Sequence, residues 1–269
     1  VSHKTVAYGD VLAPLRAEPA RSAVLLDVDG VLAPITAWHA QADVPDATRN
    51  LLEQVAARYG VVACVSGRRA LDARRVVGLD SLIYVGAHGS ELLRPGQAEP
   101  LLDPEVLAWA PRVRAFTERI YRDQRLERLA IRLEDKEAIT AFHWRGATDE
   151  AAAQRAVQEV AHQAEAAGLN THWGRKVLEV RPPVRIDKGA GILNLLGDTT
   201  LAAAMYVGDD VTDLDAFRGL TKLAEQGRLG YALRVGVGSD EGPWQLREEA
   251  DLMVSGVDEV RSLLQGLVD

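Results

Sequence analysis

Two aspartates, Asp27 and Asp29, lie two residues apart in the run Asp27-Val28-Asp29-Gly30-Val31-Leu32-Ala33-Pro34. Along an extended backbone, positions i and i+2 project to the same side, so the two carboxylates can converge on one point. Adjacent carboxylates repel, and such a site is stable only when a cation neutralises them or one of them holds a proton. Both states are chemically useful. The matching cation is hard and oxygen-liganded, Mg²⁺ above all, which binds through one or two carboxylates and is completed by water and substrate phosphate. A solvated acidic turn is the plainer reading of the same residues.

A second acidic cluster, Gly208-Asp209-Asp210-Val211-Thr212-Asp213, follows another apolar run and opens a helix at about Thr212. Alone, Asp210 or Thr212 would serve as its cap. Two acidic clusters at two strand ends need a compensating cation. Ser66-Gly67-Arg68 offers a hydroxyl, an unobstructed backbone N–H and a guanidinium, all good donors to a phosphoryl group. Lys188-Gly189 supplies a cation able to bridge a carboxylate and a phosphate. His88, in the glycine-bounded turn Gly86-Ala87-His88-Gly89, either lines a site or shapes the turn.

The elements that must position these groups are legible as alternation. Apolar runs at 23–26, 61–65, 82–85 and 203–207 each end in a polar or glycine-rich turn, and a helical pattern surrounds Leu51, Leu52, Val55 and Ala56. This predicts α/β architecture, a Rossmann-like, mostly parallel sheet whose strand-end loops share one ligand-binding edge. Between about 104 and 182 the texture changes. A helix at 106–122, a hairpin of 129–134 with 139–144, an alanine-rich helix at 149–167 and a strand at 177–180 precede Pro182-Pro183. The chain reads as a core of residues 1–108 and 183–269 with a smaller inserted α/β cap domain at 109–182.

Composition narrows the partners. Lys+Arg 31 against Asp+Glu 39 in 269 residues gives a formal net charge of −8, which repels nucleic acid and anionic membrane surfaces. No apolar run approaches the ~20 residues that span a bilayer. The opening stretch VSHKTVAYGD lacks a basic-then-apolar signal, so a cytoplasmic monomer acting on a small molecule is expected. The single cysteine, Cys64, sits in an apolar run, can form no internal disulfide, and reads as a core side chain.

The four motifs, in this order, resemble the haloacid dehalogenase superfamily of phosphatases over nearly the whole chain, and the insert is placed as in members with an α/β cap. Within it, segments 27–35, 86–92, Glu134-Asp135-Lys136, Ala141-Phe142-His143-Trp144-Arg145, Glu179-Val180-Arg181-Pro182 and 208–217 resemble the trehalose-6-phosphate phosphatases. The last, GDD-x-TD-x-DAF, is the most specific. The resemblance implies Mg²⁺-dependent hydrolysis of trehalose 6-phosphate to trehalose and phosphate. Asp27 would attack phosphorus to form a phosphoaspartate. Asp29 would protonate the departing sugar oxygen and then deprotonate the hydrolytic water. Mg²⁺ would sit among Asp27, the backbone carbonyl of Asp29 and Asp209, with Asp213 and Asp210 in support. Ser66, Gly67, Arg68 and Lys188 would hold the phosphoryl oxygens. Glu134, Lys136, Arg145, Lys176 and Glu179 of the cap, together with His88, would contact the sugar. His143 and Trp144 alternate on a strand, so at least one is expected to pack inside the cap.

The chain departs from the family pattern at Val28, where an aromatic residue is frequent, at Val31, where threonine is usual, and at Leu214, where members carry glutamate. Leu214 bears on the identity of the sugar. A phosphatase of another sugar phosphate such as sucrose 6-phosphate, a catalytically silent sugar-phosphate-binding protein, and a phosphotransferase or mutase are the alternatives.

Overall fold

The computed structural model describes residues 8–35, 42–136, 138–238 and 242–269, so most of the opening stretch read for a signal lies outside the described residues. The chain divides into two compact units, Val1–Leu101 with Ile186–Asp269, and Leu102–Arg185. The division falls outside the boundaries expected at 108/109 and 182/183. One reason is local: Asp103 accepts from the N–H groups of Glu105 and Val106, and Pro104 occupies the first helical position, so the helix begins at 104.

In chain order the strands are β1 (Ser22–Leu26), β2 (Val61–Val65), β3 (Ile83–Gly86), β4 (Glu91–Leu93), β5 (Leu101–Leu102), β6 (Arg132–Asp135), β7 (Thr140–His143), β8 (Asn170–Gly174), β9 (Val177–Arg181), β10 (Leu201–Gly208), β11 (Leu229–Gly238) and β12 (Leu252–Ser255). The helices are α1 (Gly9–Ala17), α2 (Asp46–Arg58), α3 (Ala70–Val77), α4 (Pro104–Tyr121), α5 (Gln124–Arg128), α6 (Glu150–Ala166), α7 (Lys188–Leu196), α8 (Asp213–Glu225), α9 (Trp244–Glu249) and α10 (Gly256–Val268).

The first sheet has the order β12-β11-β10-β1-β2-β3-β4-β5. Its pairings from β12 to β3 are parallel, and β3 with β4 is antiparallel. Strands buried on both faces explain the continuous apolar runs. Val24 and Leu26 enter one cluster with Leu52, Val55 and Leu263, while Ala23 and Leu25 enter the other with Ile192, Phe217 and Leu220. Cys64 is a fully buried core side chain, as its apolar run predicts. The chain passes from β1 to β2 on one side, while β10 returns on the other. Such a reversal of strand order opens a crevice at the carboxyl ends, and the register Leu26↔Val207 places Asp27 beside Gly208 there. The glycine-interrupted β11 and the short β12 escape the sequence reading.

The second unit has an antiparallel sheet, β6-β7-β9-β8. The expected hairpin forms by pairing Arg132↔His143 through Asp135↔Thr140. Its first strand starts later than expected because Leu129 ends α5 and Ala130 takes φ 53. One sheet face packs on helices: Phe142, Trp144, Leu178 and Val180 share a core with Val113 and Phe116 of α4 and with Ala153, Ala156, Val157 and Val160 of α6. The alanines of α6 are thus the contact residues of a packed face. No described helix is long and apolar enough to cross a membrane.

Phe142 is fully buried in this separate core, so Phe142→Ala is expected to destabilise the second unit by about 3–5 kcal/mol. Hydrogen exchange checks it. Amides of β7 and α6 should exchange faster while those of β1 and β10 keep their rates.

Candidate active site

Asp27 leaves β1 with its N–H donating to the Val207 carbonyl at 2.9 Å and is 5% exposed. Lys188, the first residue of α7, is 2% exposed, and its Nζ lies 3.0 Å from Asp27 Oδ2 and 2.6 Å from Asp213 Oδ1. The helix start is fixed by Asp187, whose Oδ1 accepts from Ala190 N at 2.7 Å. Asp213 is fully buried and collects four donors. Oδ1 accepts from Lys188 Nζ and from Tyr206 Oη at 2.6 Å, and Oδ2 accepts from the N–H groups of Asp209 and Asp210 at 2.8 and 2.9 Å. The helix cap expected of Asp210 or Thr212 is therefore absent. Thr212 makes no side-chain cap bond, and Asp210 Oδ1 accepts from the neighbouring Val211 N–H.

Of the five aspartates expected around a cation, the structure gathers three: one carboxylate oxygen each of Asp27, Asp209 and Asp213 lie within 4.8 Å of one another. Asp213 has its lone pairs occupied and anchors the group. Asp209 is 9% exposed, and among the described residues no hydrogen bond reaches its carboxylate. Burial, then the charges of Asp27 and Asp213, push it up to about 8. Burial pushes Asp27 to about 7 even against the attraction of Lys188. Three carboxylates against one ammonium leave a deficit of positive charge, and an all-oxygen donor set suits a hard divalent cation. Gly30 permits the approach. It takes φ +78, and a Cβ there would stand 2.0 Å from Asp209 Oδ2. Asp210 is exposed and turned to its own loop, and the side chain of Asp29 is bound by Arg68, so neither carboxylate joins the trio.

The loop after β2 is held from behind. Ser66 N–H donates to Val85 O at 2.9 Å, Ala87 N–H to Arg68 O at 2.6 Å, and His88 N–H to Ser66 O at 3.1 Å. Ala87 and His88 take φ 47 and 58, a conformation that costs an L-residue roughly 1–2 kcal/mol. The strained turn thus templates the loop, and the His88 ring packs on Gly67. Ser66 Oγ accepts from Arg68 N at 3.2 Å, which leaves its O–H proton for another acceptor. Glu91, 1% exposed, accepts from Ala70 N at 2.7 Å and Arg69 Nε at 3.2 Å, so it fixes the start of α3. Sequence reasoning missed Glu91 and Tyr206, since a glutamate on a short strand reads as a surface residue and a tyrosine in an apolar run as core.

In the second unit the register aligns Glu134, Ala141, Glu179 and His172 in one row on the face opposite the Phe142 core. Lys136 Nζ donates to Glu179 Oε1 at 3.0 Å, Arg181 donates to Glu179 Oε2, and all three residues are buried. His143 Nε2 lies 2.8 Å from Glu134 Oε2, and this bond, with burial opposing it, holds the Glu134 carboxyl below its usual range. Trp144 is the member of the His143-Trp144 pair that packs inside. The structure thus unites Glu134, Lys136 and Glu179 in one region and adds Arg181 and His143. Lys176 and Arg145 bond other partners. Lys176 Nζ bonds both oxygens of Glu150 at 2.8 and 2.7 Å, and Arg145 donates to Arg175 O at 3.4 Å. Leu214 is 4% exposed within the apolar cluster of Leu25 and Phe217, so its side chain fills the core of the first unit.

A family model described as trehalose-phosphatase matches residues 25–248. A trehalose-phosphate phosphatase of Mycobacterium marinum is 34% identical over 212 residues, 73% of this chain and 51% of its own length. An uncharacterized glycosyl hydrolase of Mycobacterium tuberculosis is 33% identical over 205 residues, 73% of this chain and 15% of its own. The chain therefore spans about half of the phosphatase relative and a small part of the other. Among solved structures, the C-terminal domain of a Candida albicans trehalose-6-phosphate phosphatase superposes with TM-score 0.70 at 19% identity, covering 96% of each chain. A haloacid dehalogenase-like hydrolase from Bacteroides thetaiotaomicron does so with TM-score 0.60 at 15% identity, covering 91% of this chain and 98% of its own. These two likenesses are of fold.

A carboxyl group held above its unfolded value binds its proton longer in the folded chain, so stability falls as pH rises between the two values. For Asp27 and Asp209 that window runs from the ordinary aspartate range up to about 7 and about 8. In chelator-treated protein, Tm is expected to fall as pH rises from about 4 to about 8, and saturating Mg²⁺ is expected to flatten the decline. Thermal unfolding with and without the ion measures it.

Proposed function

We propose, since the chain belongs to the trehalose-phosphatase family, that it hydrolyses trehalose 6-phosphate to trehalose and phosphate through a phosphoaspartate on Asp27. The observation that carries this reading is the buried set of Asp27, Lys188 and Asp213 beside Asp209, which among the described residues receives no hydrogen bond at its carboxylate. Three carboxylates desolvated around one ammonium are costly unless a cation joins them. That arrangement suits a carboxylate nucleophile better than a surface cluster.

In this mechanism a carboxylate oxygen of Asp27 attacks phosphorus, the phosphorus–sugar oxygen bond breaks, and Asp29 gives a proton to the departing oxygen. Asp29 then takes a proton from the water that attacks the phosphoaspartate. Free phosphate leaves and Asp27 is restored. Lys188 Nζ, the Ser66 hydroxyl, the Gly67 N–H and the Arg68 guanidinium hold phosphoryl oxygens, where preorganised donors stabilise charge developing in the transition state. Asp213 keeps Lys188 extended and fixes the Asp209-Asp210 loop through its four hydrogen bonds. Asp27, Asp209 and the backbone carbonyl of Asp29 would hold Mg²⁺, with Asp213 behind them, and the ion supplies charge neutralisation to the phosphoryl oxygens.

Sugar hydroxyls both donate and accept, so they are matched by carboxylates and cations in alternation. The bonded group of Glu134, Glu179, Lys136, Arg181 and His143 in the second unit has that composition and supports a sugar-reading role. Arg145 and Lys176, paired within their own turn region, fit such a role less well. Because Leu214 lies in the core, its departure from the family glutamate removes no exposed carboxylate from this group.

Phosphate release with Mg²⁺ from trehalose 6-phosphate, sucrose 6-phosphate and glucose 6-phosphate tests the reading. Selective turnover of trehalose 6-phosphate is expected, and Asp27→Asn is expected to lower it about a thousandfold or more. Preference for another sugar phosphate would transfer the chemistry to that substrate. Tight binding without turnover would make the chain a sugar-phosphate-binding protein.

A further inference from the structure

Arg68 and Asp29 form a two-point ion pair. Arg68 Nε donates to Asp29 Oδ2 and Nη2 to Asp29 Oδ1, each at 2.6 Å, with the arginine side chain 11% and the aspartate 27% exposed. Each carboxylate oxygen thereby accepts one guanidinium N–H. While both oxygens face the guanidinium, the carboxylate is turned to Arg68 rather than to a departing alcohol or a water.

The main chains on either side are secured independently of this pair. Arg68 O accepts from Ala87 N at 2.6 Å, and beside Asp29 the Gly30 N–H donates to Ala33 O at 2.8 Å. Breaking the pair therefore leaves these main-chain bonds in place. A guanidinium fork matches a carboxylate and a phosphoryl group with the same planar, bidentate geometry. The buried hydroxyl of Ser66 lies two residues before Arg68 in the same loop, and both would hold phosphoryl oxygens under the reading above.

We propose that Arg68 is a substrate-operated latch on Asp29. An arriving phosphoryl group takes the guanidinium, one bidentate ion pair breaks as another forms, and Asp29, released only when a phosphoryl group is present, takes from solvent the proton that it then gives to the departing sugar oxygen. The phosphoryl group remains in the site on Asp27 after the sugar departs, so the latch stays open for the second proton transfer. It closes when phosphate leaves and Asp29 returns the proton taken from water to solvent. Arg68 is in this sense a positioning residue for Asp29. The inference rests on the catalytic reading above.

The test is a double-mutant cycle on the affinity of inorganic phosphate, measured by calorimetry at saturating Mg²⁺ for wild type, Asp29→Asn, Arg68→Ala and the double variant. Competition between Asp29 and phosphate for Arg68 makes an unusual demand, that removing the aspartate's charge tightens phosphate binding only while the arginine is present. A gain of about tenfold for Asp29→Asn is expected in the wild-type background, falling to less than about twofold beside Arg68→Ala. Equal gains in both backgrounds would reduce the effect to general charge repulsion and overturn the latch. No gain, or no phosphate binding by any variant, would overturn it as well. Arg68→Gln repeats the cycle should the alanine variant fail to fold. Turnover of trehalose 6-phosphate by the wild type, measured alongside, separates the two failures. Hydrolysis without coupling removes the latch alone, whereas coupling without hydrolysis leaves Arg68 shared between Asp29 and phosphate but removes the catalytic reading, and with it the latch's role in proton transfer.

Discussion

A lysine ammonium buried among carboxylates at the carboxyl ends of β1 and β10 is the constraint on which the first unit turns. Burial alone would lower the proton affinity of Lys188, but Asp213 and Asp27 reverse that and hold it above the ordinary lysine value. Desolvated ions are tolerable only with close geometry and satisfied hydrogen bonds. The surroundings are organised accordingly. Asp187 starts the helix that presents the lysine, Tyr206 and two backbone N–H groups complete Asp213, and Gly30 leaves room for Asp209.

The sheet explains why residues so far apart in sequence share this place. Parallel pairing carries β1, β2, β3 and β10 in one direction, so their exits lie along one edge. Asp27, Ser66 and Asp209 each sit at such an exit, while Lys188 comes from the helix before β10. The antiparallel sheet of the second unit uses the other solution available to a strand. Alternate residues feed an apolar core and a charged face, as in Phe142 against His143 and Leu178 against Glu179.

Sequence periodicity and residue type made the expected strands and the acidic motifs legible, because both depend on local pattern. Partnership among charges was not legible in the same way. Lys136 and Lys176 read alike, yet one is buried against Glu179 and the other pairs with Glu150 on the surface. That choice is made by register, a non-local property. Leu214 shows the reverse case. Its spacing with Phe217 and Leu220 marks an apolar stripe on α8, and this local signal outweighs the departure from the family motif.

The turn at Ala87-His88-Gly89 fastens the loop of Ser66 and also lies against α7. A Cβ on Gly89 would meet the carbonyl oxygen of Asp187 at 2.4 Å, and one on Gly191 would meet Gly89 Cα at 2.6 Å. Main chain therefore touches main chain between the turn that fastens the Ser66 loop and the helix that carries Lys188. The interval between hydroxyl and ammonium is set as by a ruler, without any side chain to be retuned. Surface residues nearby can drift without altering that interval, whereas a one-residue insertion in the turn would move both donors at once.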